Sequence, residues 1–413
     1  MSTEYKNNHY VPVWYQRRFL PAGRKDNELY YLDLKPGTFT TPNGLVKPRK
    51  AQRRLGFDYC FAEEDLYTRQ FGGEELRDIE KVFFGAIDDR GRRAIKSIGE
   101  FAHPSADGPA FQDLVQFMST QKLRTPKGLA WLTSQAKDKD RNRTLALMLS
   151  LRNLYSAIWT ECVWQIADAS NSTTKFIISD HPITVYNRRC GPRSQWCRGV
   201  EDPDIRYNGT HTIFPLSLNK LLILTNLSWV RNPYQSPVEL RPNPNPFRDA
   251  VFNFTEVQTL RYLTEEEVHQ INFIIKTRAH RYIAAAQEDW LYPEKSVSKS
   301  DWNMYGKGYL LMPDPRPVHL GGTIFWGGGL GGSGGMDEYG RRPWAKGFEK
   351  ESKSLDEGKT LYRFKGEFAR LFGPKRRGRT FQGMRLDNEQ DSEEFHQYHL
   401  DEEIKHKTSW KKT

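Results

Sequence analysis

Apolar residues recur along the chain at two spacings, and the change from one to the other divides it. Over residues 74–98, Leu76, Ile79, Phe83, Ile87 and Ala94 fall three, four or seven apart, the spacing that lines one face of a helix. Phe111, Leu114, Val115 and Met118 repeat that spacing. Arg124-Thr125-Pro126 ends it, because proline disfavours helix in the residue before it. A third helix is predicted over 143–159. From Cys162 the period shortens: residues 162–167, 175–179, 183–186, 211–214 and 220–225 read as strands bounded by Asn/Ser, Asp-His-Pro and Gly punctuation. An earlier strand is predicted over 28–33, closed by Pro36-Gly37. Residues 188–207 and the proline-rich 232–245 read as non-regular. The last core helix begins at Thr264, with Glu267 three residues on as a capping box. Its stripe is Val268, Ile271, Ile275, Ala279 and Tyr282.

The first twenty residues have their own pattern. A disordered start would be polar, yet Tyr10, Trp14, Tyr15 and Phe19 crowd together. Pro12 suits the first turn of a short helix. Four-residue spacing then puts Tyr15 and Phe19 on one face and Trp14 and Arg18 on the next. His9 is expected just ahead of that helix, where outward backbone N–H groups welcome anions. The plainer alternative is an amphipathic plug with His9 merely hydrogen-bonded.

These patterns predict an α+β domain over residues 1 to about 315, its helices packed on one mixed β-sheet. Beyond it the composition changes. Residues 316–335 include a run with nine glycines and read as a flexible linker. It is not a phosphate loop, since no lysine–serine pair follows. Residues 336–413 read as a charged, loosely ordered C-terminal tail with one amphipathic helix over 361–371. Its basic cluster Lys375-Arg376-Arg377-Gly378-Arg379 reads as a solvated run, or as a weak nucleic-acid signal. The basic stretch 47–54 reads the same way, as a solvated loop or as a phosphate-contacting one.

Composition narrows the class. Of 413 residues 37% are apolar, but 13% are aromatic, and that aromatic weight can still build a core. The formal charge is +11, which favours anionic partners such as DNA or RNA. Little of it resides in the tail. Four cysteines (Cys60, Cys162, Cys190, Cys197) are too few and scattered for a disulfide scaffold. The six-residue gap between Cys190 and Cys197 matches no common zinc spacing. There is no signal-peptide pattern and no run near the ~18 apolar residues of a membrane span, so a cytoplasmic setting is expected.

Two polar residues fall inside apolar stripes. Glu80 lies between Ile87 and Phe84, and Asn272 beside Ile275 and Ala279. A buried carboxylate needs a partner or a raised pKa, and a buried amide needs hydrogen bonds. For Glu80 a structural salt bridge and a functional role both stay open.

Several segments together resemble one bacterial family, a domain of unknown function (Domain of Unknown Function 4238) marked by an HYVP motif. The resemblance rests on His9-Tyr10-Val11-Pro12 with Tyr15, Arg17 and Phe19, then Glu80, then Phe117, Gln121 and Arg124-Thr125-Pro126. It continues with Trp164, the run from Phe176 through Asp180-His181-Pro182, and Phe214-Pro215-Leu216-Ser217, and it closes with Asn272 and residues 279–283. It spans roughly residues 5–290. The family pattern is similar to Ser-Asp-Asn-Pro where this chain has His181. The resemblance implies an architecture and a residue list, and no chemistry.

The two lists overlap at His9, Glu80, Asp180, His181 and Asn272. Such a set predicts a divalent metal, Mg²⁺ or Mn²⁺, held by Asp180, Glu80 and His181. His9, Glu80, Asp180 and Asn272 are the candidate catalytic residues. Arg17, Arg18, Arg124 and Arg278 are candidates for neutralising phosphate charge. The sharpest expectation is therefore a hydrolase, a metal-assisted nuclease acting on nucleic acid. Two alternatives stand beside it: a non-catalytic protein that binds nucleic acid or a partner, and a domain that binds a small anionic ligand.

Overall fold

The computed structural model describes residues 7–64, 66, 84–100, 108–135, 141–197, 200–240, 257–297, 302, 309–320, 323–327, 333–337, 342, 344, 355–378 and 389–410. The chain opens with strand β1 (Asn7–His9), helix α1 (Val13–Gln16) and a single 3₁₀ turn over Arg17–Phe19. Strands β2 (Glu28–Asp33), β3 (Thr38–Thr40), β4 (Val46–Pro48), β5 (Gln52–Gly56) and β6 (Ala62–Glu64) follow. Next comes a helical run: α2 (Gly85–Gly99), α3 (Gly108–Arg124), α4 (Pro126–Gln135) and α5 (Arg141–Thr160).

The chain then forms β7 (Cys162–Asp168), β8 (Ile178–Ser179), β9 (Thr184–Asn187), β10 (Thr210–Pro215), β11 (Lys220–Asn226) and the short helix α6 (Leu227–Arg231). Strand β12 (Gln258–Tyr262), helix α7 (Glu265–Arg278) and strand β13 (Tyr282–Ala285) complete the part read as a domain. Strands β14 (Thr323–Gly327) and β15 (Ser333–Asp337) and helices α8 (Leu355–Phe372) and α9 (Glu393–Trp410) come last.

The fold is α+β. Its strands form two principal sheets where one was expected. One is mixed and five-stranded, in the order β12-β7-β11-β10-β9, with β12 parallel to β7 and the other pairs antiparallel. The other is antiparallel and four-stranded, in the order β5-β2-β13-β8. Every residue of β7, β9 and β10 is buried, so these strands lack the alternation of a half-exposed sheet.

Helices α3 and α5 seal one face. Phe111 of α3 meets Trp164 of β7 edge-to-face at 5.3 Å, and the Trp159 indole of α5 donates to Thr212 of β10 at 3.0 Å. The N-terminal aromatics reach the same core. Tyr15 stacks on Phe214 at 5.5 Å, its hydroxyl donates to the Pro215 carbonyl, and Trp14 packs on Phe117. Tyr15 and Phe19 are fully buried, each stabilising by about 2–3 kcal/mol.

Four local expectations change. The predicted strand over 175–179 shortens to β8, because the N–H groups of Phe176 and Ile177 go to the Leu218 carbonyl and the Asn272 side chain. The basic stretch 47–54 lies largely in exposed β4 and β5, not in a loop. Helix α7 stops at Arg278, with its capping box as predicted, and Tyr282 begins a strand instead of continuing the helical stripe. In the glycine-rich run, β14 pairs antiparallel with β15.

Described residues of the C-terminal segment pack against the domain. Phe364 and Phe368 of α8 bury against Val163, Trp229, Val230 and Val318. The basic cluster is not simply solvated. Arg376 pairs with Asp391 at 2.8 Å, Arg377 pairs with Glu267 at 3.0 Å, and the Arg377 N–H donates to Asp314. Gly378 meets the β12 edge so closely that a Cβ there would lie 2.5 Å from the Thr259 carbonyl oxygen.

Candidate functional site

The turn between α3 and α4 brings three polar side chains to one place. Pro126 starts α4 directly after α3 ends at Arg124, which keeps the two helices in tight succession. Gly128 makes the turn possible: a Cβ there would stand 2.2 Å from the Lys122 carbonyl oxygen and 2.7 Å from that of Leu123. Lys122, Thr125 and Lys127 are consequently buried, facing His181 and Asp202.

Asp202 is the hub. It accepts from Lys122 Nζ at 2.7 Å and from Lys127 Nζ at 2.5 Å, and its Oδ2 lies 3.1 Å from His181 Nε2. The other imidazole nitrogen, Nδ1, lies 2.7 Å from Thr125 Oγ1. These partners assign the ring: Nε2–H donates to Asp202 and the threonine hydroxyl donates to Nδ1. Burial and the Lys122 ammonium, 3.3 Å from Nε2, lower the His181 pKa to about 3, so the ring is neutral. Burial alone would raise Asp202, but the two ammoniums outweigh it and hold its carboxyl well below the usual range. Burial lowers Lys122 against the pull of Asp202, because one carboxylate serves two cations.

The buried charges do not balance. Lys122 and Lys127 pair with the single carboxylate of Asp202, Arg278 adds a further positive field at Lys122, and the buried Asp180 carboxylate adds a negative one at Lys127. Arg278 is itself buried over the Trp302 ring at 4.8 Å; it donates to the Cys190 carbonyl and leaves its Nε without a partner. This floor opens on a cavity of about 430 Å³. The walls are Trp131 of α4, Leu147, Leu151, Leu154 and Tyr155 of α5, and the loop residues Gln195, Trp196 and 200–207. At the mouth Asp204 and Arg206 cancel one another at 2.5 Å, and Glu201 is half-buried.

Of the residues predicted for the site, His181 and Arg278 lie at or beside this cluster. The other described ones do not join it. His9 ends β1, paired with Ala62 four residues ahead of α1, and its Nε2 lies 3.1 Å from the Phe57 carbonyl oxygen. Asn272 spends its amide on the Ile177 N–H and the Lys175 carbonyl. Arg124 is buried between the Phe84 and Phe117 rings and pairs with Asp88 at 2.8 Å and with Gln121. Arg18 donates to the Leu216 carbonyl at 2.7 Å, and Arg17 is exposed beside Phe57. Glu80 lies outside the described residues.

Asp180 is a backbone clasp. Its carboxylate accepts from the N–H groups of His280, Arg281 and Tyr282 at 2.7–2.9 Å. Those N–H groups would otherwise continue α7, so Asp180 turns the chain into β13. Of the three donors expected to hold a metal, Glu80 lies outside the described residues and the other two have partners of their own. Asp180 is spent on three N–H groups, both His181 nitrogens are engaged, and the Lys122 ammonium repels an approaching cation. Among the described residues no group of three His, Cys, Asp or Glu side chains could hold a metal ion. Cys190 and Cys197 are free, joined only by a bond from the Cys197 thiol to the Cys190 carbonyl.

Lys122, Thr125, Lys127 and Asp202 were not singled out as site residues from the sequence. One signal was available. Lys122 continues the four-residue spacing of Leu114 and Met118, which places a cation on a buried face just as the spacing placed Glu80.

With this geometry in hand, comparison places the chain. It belongs to the family described as "Protein of unknown function (DUF4238)", which it matches over residues 7–154 and 131–289. No curated protein and no solved structure matches it. The cavity lies within the matched residues; β14, β15, α8 and α9 lie beyond them. Among the described residues, no helix is long and apolar enough to cross a membrane.

Proposed function

We propose that this protein binds a small anionic ligand with a planar or apolar body, of the size of a nucleoside monophosphate. The site is the cavity between α3, α4, α5 and the loop residues 200–207. The observation that supports this is the concentration of positive charge on its floor, where Lys122 and Lys127 both make their ion pair with Asp202 and only the more distant Asp180 carboxylate adds to it. A buried ammonium without a full counter-charge is costly, and an incoming anion supplies that counter-charge where water screens it least. The volume of about 430 Å³ and the Trp131, Leu151 and Tyr155 walls suit a ring or chain attached to the anion. His181, neutral and held on both sides, keeps Asp202 in place. Thr125, the hydroxyl nearest that histidine, is fully buried and does not line the cavity, so the arrangement serves binding.

The test is calorimetric titration of the full chain with inorganic phosphate, the four ribonucleoside 5′-monophosphates and the matching uncharged nucleosides. Monophosphates should bind and nucleosides should bind at least about tenfold more weakly, about 1.4 kcal/mol. Lys127→Gln, checked for folding, should weaken the monophosphates by about the same factor. Equal binding of charged and uncharged compounds, no binding at all, or indifference to Lys127→Gln would overturn the proposal. So would metal-dependent cleavage of labelled DNA or RNA by a protein that binds none of these compounds.

A further inference from the structure

A second cavity, of about 380 Å³, lies where α8 comes against α6. The matched family segment supplies Arg188, His211, Trp229 and Tyr234, and the C-terminal part of the chain supplies Tyr309 and Glu367. The site therefore exists only because the residues beyond the family match fold back onto it.

Its polar groups are unmatched in a specific way. Arg188 lies over the Trp229 ring at 5.5 Å, and its Nε is buried without a hydrogen-bond partner. The Trp229 indole N–H is also buried without a partner, in a residue only 3% exposed. Buried donors left in this state are rare and call for an acceptor. The opposite need is met by Glu367, whose two oxygens accept from the Tyr234 and Tyr309 hydroxyls, each at 2.5 Å. Those neutral phenols orient the carboxylate and leave its charge in place. Among the described residues neither Arg188 nor Glu367 makes an ion pair, with the other or with anything else.

His211 adds an acceptor. The Thr225 hydroxyl donates to the Leu311 carbonyl at 3.3 Å, so its oxygen receives the His211 Nδ1–H at 2.9 Å. That leaves Nε2 with a free lone pair on a neutral ring, since burial and Arg188 lower this histidine to about 3.

We propose that this cavity binds a small amino acid zwitterion, its carboxylate on Arg188 and the Trp229 N–H, its ammonium toward Glu367 and His211. A lone anion would leave Glu367 unneutralised, and a lone amine would leave Arg188 so. Only a ligand with both charges satisfies both ends; the Tyr234 ring already carries the Arg363 guanidinium at 4.9 Å, and the Tyr309 ring beside Glu367 also favours a cation there. This site is independent of the anion cavity at Lys122 and Lys127.

The test is thermal-shift and calorimetric titration of the full chain with the twenty L-amino acids, β-alanine and 4-aminobutanoate at millimolar concentration. At least one should stabilise and bind. Its N-acetyl and its amide derivatives should each lose about tenfold or more in affinity. Arg188→Met keeps the apolar contact with Trp229, and Trp229→Phe keeps the packing while deleting the N–H; each should weaken the same ligand. Lys127→Gln should leave it unchanged, which separates this cavity from the other. No binding by any of these compounds, equal binding by the derivatives, or equal binding by Arg188→Met would overturn the proposal.

Discussion

Asp180 and His181 are neighbours in the chain and are both buried, yet they belong to opposite kinds of polar site. Asp180 faces backbone. Three N–H groups fill its oxygens, and the result is a turn that ends one helix and starts one strand. His181 faces side chains, and the cluster it joins has more positive than negative charge. A buried group closed off by backbone has finished its work in folding. One whose partners are charged side chains, with a surplus of one sign and a cavity beside them, has a valence left for a ligand.

The sharpest way to break this contrast is to remove the hub of the open cluster. Asp202→Asn leaves two buried ammoniums facing a neutral amide, and should destabilise the protein by about 3–5 kcal/mol in a denaturant titration. Added phosphate should restore part of that loss, because an anion entering the cavity replaces the missing charge. A loss under about 1 kcal/mol, with no phosphate effect, would mean that water already screens the two lysines.

The same contrast explains what could be read in advance. Aromatic spacing alone revealed the N-terminal anchor, because Tyr15 and Phe19 report their burial through local periodicity. Strand β2 and the capping box at Thr264 were legible for the same reason. The end of α7 was not. Ala279 and Tyr282 continue the helical spacing, and what stops the helix is a carboxylate a hundred positions earlier. The cavity floor was hidden in a similar way. Asp202 sits in a stretch with no period, and its partners lie some eighty residues away at Lys122 and Lys127. Charges that pair across such distances leave no mark in either local pattern. Asn272 shows the converse, a conspicuous polar residue correctly placed in a buried stripe whose bonds are structural, and Arg124, a candidate for holding phosphate, is likewise spent on structural partners.

A smaller effect tests the closed site. Burial raises the Asp180 pKa to about 6 although its three N–H bonds oppose this. A group raised in the folded state contributes stability that is present below its unfolded value, near 4, and lost as pH climbs through about 6. Asp180→Asn cannot titrate. Its deficit against the natural chain should be largest near pH 4, about 2 kcal/mol for the weakened N–H bonds, and should shrink toward pH 7. Paired denaturation curves at the two pH values decide this. A deficit that grows with pH would show that the three N–H groups outweigh burial, and that the clasp prefers its charged form.

The smallest expected effect separates the anchor from the cavity. Arg17 belongs to the sequence pattern around the N-terminal aromatics and was a natural candidate for holding phosphate. It is exposed, and its guanidinium lies 5.6 Å from the centre of the Phe57 ring. An exposed side chain with one aromatic neighbour is worth at most about 1 kcal/mol. Arg17→Ala should therefore change stability by less than about 0.5–1 kcal/mol and leave monophosphate binding where it was. If that substitution removed binding while Lys127→Gln did not, the anion would sit against the N-terminal anchor, and the surplus charge beside Asp202 would be a feature of the fold alone.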